Sequence, residues 1–205
     1  NVVSLSASGS VEVMQDLLVL TLSTNREGAD AASVQAQLKS ALDSALADAR
    51  RAAQPGQMDV RTGNFSLFPR HDRNGKISGW QGTAELVLEG RDFPRIAATA
   101  GKIQGMAVGQ VSFGLSREER NRVASQARSQ AIEKFKAEAS DIAREFGFSA
   151  FTLREVSVNG SDGLEVRPRM MAMSAKASMA SDAPIPVEAG KSTVVVNVSG
   201  SVQMR

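Results

Sequence analysis

Three observations predict an α+β fold, a mostly antiparallel sheet with helices packed on one face. Several short segments alternate apolar and polar residues with a period of two, the pattern of a half-buried strand. Two longer segments change to a spacing of three or four, the pattern of an amphipathic helix. Strand segments also follow one another in pairs across short connections, and such pairs lie antiparallel. The predicted order is β-β-α-β-β-α-β-α-β-β.

The first strand sets Val3, Leu5, Ala7, Gly9, Val11 and Val13 against Ser4, Ser6, Ser8, Ser10 and Glu12. A second, at about 17–24, has Leu18, Leu20 and Leu22 on one face. The period then lengthens. Asp30 is placed to cap a helix whose apolar row runs Val34, Leu38, Leu42, Leu46 and Ala49, and Pro55-Gly56 stops it. Residues 57–68 and 77–90 read as a hairpin around HDRNGK, where Asn74-Gly75 supplies positive φ at little cost.

A short helix is expected after Asp92, with Pro94 tolerated in its first turn. A strand at about 107–115 follows, carrying Val111, Phe113 and Leu115 on one side. Ser116 and Glu119 then have the spacing of a capping box. The helix they open has the predicted core face Ala124, Ala127, Ala131, Phe135, Ala139, Ile142 and Phe146, with Gly147 as its stop. A strand at 150–158 precedes a mobile, methionine-rich loop at about 161–190. The last strand, 193–204, alternates Val194, Val196, Val198, Gly200 and Val202 against Asn197, Ser199 and Ser201. Nothing in the composition marks a linker, so residues 1–205 are expected to form a single domain of two packed halves.

The bulk composition narrows the function. The 205 residues are 42% hydrophobic and 22% charged, ordinary for a globular chain, with a net charge of only +2. Basic residues are dispersed, as in Arg50–Arg51, Arg70/Arg73/Lys76 and Arg167/Arg169, and tyrosine is absent. A nucleic-acid face would gather positive charge and aromatic platforms, so nucleic acid is not an expected partner. Without cysteine there is no disulfide, thiol nucleophile or Cys-bound zinc. No apolar run reaches the roughly 18 residues of a membrane helix. The start at Asn1 rather than at a methionine suits a mature chain whose signal peptide has been removed.

Candidate chemistry is sparse. His71, the single histidine, falls at the hairpin tip beside Asp72, where a triad would have no shelter. Gly190-Lys191-Ser192 ends like a phosphate loop, but residue 185 is isoleucine and a strand follows instead of a helix. Glu118 with Glu119, and Glu133 with Glu138, read as cap and helix-surface acids. No catalytic residue and no cofactor is expected. The remaining feature is Met170, Met171, Met173 and Met179, four of the eight methionines within ten positions. Thioethers are soft Cu(I) ligands and react with oxidants, but methionine also packs adaptably at contact surfaces.

Four stretches resemble the SIMPL-domain family of bacterial periplasmic or secreted proteins. They are KISGWQGTAELVLEGRDF (76–93), GMAVGQVSFGLSREER (105–120), ASQARSQAIEKFKAEASDIAREFGF (124–148) and PIPVEAGKSTVVVNVSGSVQM (184–204). The likeness spans nearly the whole chain, and its motifs are structural rather than catalytic. It implies an envelope location, an association with oxidative-stress defence and assembly into homo-oligomers. It supplies no catalytic residue. The resulting expectation is a non-enzymatic periplasmic protein that self-assembles, with other envelope proteins as further candidate partners. The alternative is a methionine-based Cu(I)-binding or oxidant-scavenging protein using Met170, Met171, Met173 and Met179.

Overall fold

The computed structural model describes residues 1–159, 167–168 and 187–205. The α+β class, the antiparallel pairing and the element order match expectation, with a two-residue strand added late in the chain. The described residues divide into two compact units, each with its own sheet and core.

The first unit takes residues 1–15, 115–159, 167–168 and 190–205. Its central strand is the chain's last, β8 (Lys191–Met204). On one side β8 pairs with the chain's first strand, β1 (Val2–Met14), in unbroken register from Val2 opposite Gln203 to Met14 opposite Lys191. On the other side lie β6 (Phe151–Asn159) and the short β7 (Arg167–Pro168). Helix α3 (Arg117–Glu145) lies on β1 and β8. It buries Val123, Ala124, Ala127, Ala131, Phe135, Ala139 and Ala143.

Small residues set that contact. A Cβ on Gly9 would stand 2.0 Å from the Ala127 carbonyl oxygen and 2.7 Å from the Ala131 nitrogen. The strand and helix backbones therefore meet where neither has a bulky side chain. At the helix start, Ser116 Oγ accepts from the Glu119 N–H at 3.2 Å. At its end Gly147 adopts φ 80°, Phe148 N–H donates to the Ala143 carbonyl at 2.8 Å, and Gly147 N–H donates to Arg144 at 3.0 Å. This is a Schellman ending, with the glycine one position beyond the cap.

One predicted core position is corrected here. Phe146 is 70% exposed, and Ala143 continues the buried row 127, 131, 135, 139 in its place. The helix stops at Glu145, so Phe146 caps the end, while Phe148, after the turn, packs into the core.

The second unit takes residues 16–114 and 187–189. Its sheet has the order β3-β4-β2-β5, from β2 (Leu17–Gly28), β3 (Asp59–His71), β4 (Ile77–Gly90) and β5 (Ala107–Gly114). Helices α1 (Ala31–Ala52) and α2 (Phe93–Lys102) cover the face bearing Leu18, Leu20, Leu22, Leu86 and Leu88, all of them fully buried. Asp30 Oδ1 accepts from Ser33 N–H at 2.8 Å and Asp92 Oδ1 from Arg95 N–H at 3.1 Å, so both expected caps form. Strand β2 runs four residues past its predicted end, because Asn25–Gly28 pair with Thr83–Trp80 of β4.

Candidate functional site

The structure locates most of the candidate groups. Met170, Met171, Met173 and Met179 lie outside the described residues, as does most of the predicted 161–190 loop. His71 ends β3 and is exposed. Its neighbour Asp72 does not orient the imidazole. Asp72 Oδ1 accepts the main-chain N–H groups of Asn74 (2.8 Å) and Lys76 (2.9 Å), holding the hairpin turn in which Gly75 takes φ 77°. The acid beside the histidine is thus a turn residue.

The carboxylate pairs are equally dispersed. Glu133 and Glu138 are exposed on α3, and Glu119 binds the Arg122 guanidinium one turn along. Gly190-Lys191-Ser192 opens strand β8. Ser192 is fully buried and accepts from Gln15 Nε2 at 3.1 Å. Gln15 also donates its main-chain N–H to the Gly190 carbonyl (2.9 Å) and accepts the Gly190 N–H at Oε1 (3.1 Å). This clamp ties the end of β1 to the start of β8, a structural use of residues that mimic a phosphate loop. Among the described residues no group of three or more His, Asp or Glu converges as a metal-binding set. No helix among them is long and apolar enough to cross a membrane.

The unit built on β8 has two open strand edges, β1 and β6, neither paired with a further strand among the described residues. Natural edges are commonly guarded by proline, bulges or charge. In the other unit, β3 has such guards: a register break between Thr62 and Phe65, Pro69, and the charges of Asp59, Arg61 and Arg70. Strand β1 has thirteen residues in unbroken register, without proline and with Glu12 as its one charge. Lys134 of α3 donates from Nζ to the Ser8 carbonyl at 3.2 Å. That carbonyl therefore points away from β8, and by the antiparallel alternation so do the main-chain groups of the other even-numbered β1 residues. Lys134 occupies one acceptor along this edge.

Strand β6 differs. Leu153, Val156 and Val158 are paired with Val202, Gly200 and Val198, which places them on the face that α3 covers farther along the sheet. Because α3 lies on β1 and β8, these three remain 53%, 41% and 41% exposed. An apolar strip thus borders an open edge. Sequence alternation could not single it out, since a strict period of two puts Leu153 on the opposite face from Val156 and Val158, and only the register shift between Leu153 and Glu155 gathers the three on one face.

The family model for SIMPL, described as a protein of unknown function (DUF541), matches residues 3–202. The chain belongs to the SIMPL family. The match reaches into both compact units and spans all or most of every described strand and helix, so the likeness noted from four stretches extends across this SIMPL chain. Among curated proteins none matches it.

Proposed function

We propose that this SIMPL protein is a non-enzymatic component of the bacterial envelope that self-assembles through the strand edges of its β8-centred unit. The observation that carries the reading is the strip Leu153, Val156 and Val158 on edge strand β6. Aliphatic groups beside an edge that pairs with no further strand among the described residues suit the addition of another strand, with hydrogen bonds along the edge and burial across its face. Repeated head-to-tail pairing of β6 with the β1 edge of a second copy would generate a ring or a filament, depending on whether the rotation closes. An envelope location and a part in oxidative-stress defence follow from the same reading of the family. The exposed His71 and the turn-bound Asp72 support a non-catalytic role.

Light scattering coupled to size exclusion tests the assembly. The wild type is expected to run as an oligomer at micromolar concentration, and a Val156→Lys/Val158→Lys variant as a smaller species with an unchanged melting temperature. Both positions are exposed, so the fold tolerates the charge. A wild type that stays strictly monomeric removes this reading.

A second reading rests on the four clustered methionines: the protein binds Cu(I) or absorbs oxidant through their thioethers. Calorimetric titration of Cu(I) should then give saturable heat that disappears when Met170, Met171, Met173 and Met179 are changed to leucine. Identical heats from the two proteins dismiss it.

A further inference from the structure

The β3-β4-β2-β5 sheet has a second face, turned away from α1. Along β4, Gly82 and Ala84 meet the α1 side, Gly82 against Leu38, so Gln81 and Thr83 point the other way. Register places Glu27, Gln81 and Phe68 side by side across three strands, with Asn25 and Thr83 in the next row. These five residues line a hollow of 320 Å³. That is at the small end of ligand sites, which run from about 300 to 1,000 Å³.

The chemistry of the hollow is specific. Phe68 is 58% exposed, a large aromatic set beside the polar Glu27, Gln81, Asn25 and Thr83. Thr83 Oγ1 is 2.6 Å from Asn25 Oδ1 and donates to it, leaving the Asn25 amide nitrogen with its two donors. Gln81, beside the ring, adds a second planar amide. Arg70 reaches across β4 to Glu27 and neutralises the hollow's single carboxylate. Arg26 is anchored by donating to Thr24 Oγ1 (2.7 Å) and the Asn25 carbonyl (2.8 Å).

A small apolar platform, two amides, a hydroxyl and a charge-balanced ion pair match one ligand class well. We infer that the hollow binds a neutral saccharide, with a pyranose ring stacked on Phe68 and its hydroxyls bonded to Asn25, Gln81, Thr83 and Glu27. The axial C–H groups of a pyranose carry slight positive charge and suit the electron-rich face of the ring. Vicinal hydroxyls both donate and accept, as amides do. A metal ion would find its carboxylate already paired, and an extended apolar peptide would leave the amides unmatched.

The test is an amide-shift titration of the ¹⁵N-labelled chain with N,N′-diacetylchitobiose and, separately, with maltose. Saturable shifts confined to residues 25–27, 66–68 and 81–83 are expected with at least one sugar. Phe68→Ala should weaken that binding by at least about tenfold, and Phe68→Trp should retain it, both with unchanged melting temperature. Absence of shifts with both sugars overturns the assignment, as do shifts that persist undiminished in Phe68→Ala. Movement of the same amides with protein concentration alone would give the hollow to a second copy and overturn it too.

Discussion

Gly9 and Gly101 show how differently one residue type acts in two places. At Gly9 an added methyl would meet the Ala127 and Ala131 backbone at 2.0 and 2.7 Å, with no flexible side chain to yield. Gly9→Ala should therefore lift α3 from β1 and cost roughly 1–3 kcal/mol, the usual range for overpacking. Gly101 lies inside α2 with nothing within 4 Å of a Cβ. Gly101→Ala should stabilise by about 0.4–1 kcal/mol through a less flexible unfolded chain and better helix propensity. Urea unfolding of both variants checks the opposite signs. The alternation had already assigned Gly9 to the buried face of β1. What it could not supply was the partner 118 positions away that makes the missing side chain necessary.

Helix α2 is short, and its start rests on Asp92. The main-chain N–H of Arg95 bonds this carboxylate, and the Arg95 guanidinium adds a 3.0 Å ion pair, so its pKa is lowered from the ordinary 3.8. A carboxyl lowered in the folded state stabilises above its unfolded pKa and loses that contribution as pH falls through the folded value. The wild type should thus melt higher than Asp92→Ala at neutral pH, and the charge-dependent part of the gap should close below about pH 3.8. Thermal melts of both proteins across the acid range measure it; a gap constant down to pH 2 contradicts it. The cap itself was legible, since Asp92 before Phe93-Pro94 is a standard helix opening. The β6 strip was not. Leu153 falls out of step with Val156 and Val158 in strict alternation; the register shift between Leu153 and Glu155 brings all three to one face, and the placement of α3 over β1 and β8 leaves them uncovered.

At the scale of the whole molecule, the two largest of four buried apolar clusters among the described residues belong to different units, one around Phe135, Val198 and Val202, the other around Leu20, Leu88 and Ile96. Phe135→Ala removes the largest fully buried side chain of the first and should cost about 3–5 kcal/mol. Hydrogen exchange should then accelerate in β1, β8 and α3 more than in β2, β4 and α1, because local opening follows the core that is weakened. Uniform acceleration in all six elements would contradict this division.

Periodicity and capping chemistry were enough to name the class, the order of elements, both aspartate caps and the Schellman glycine, because each depends on residues within a turn or two of one another. Strand partnership required the folded chain. That the first strand lies against the last, that the strands form two sheets, and that β6 keeps an uncovered aliphatic edge all depend on contacts between distant segments. Local alternation says which side of a strand is buried, but not what buries it.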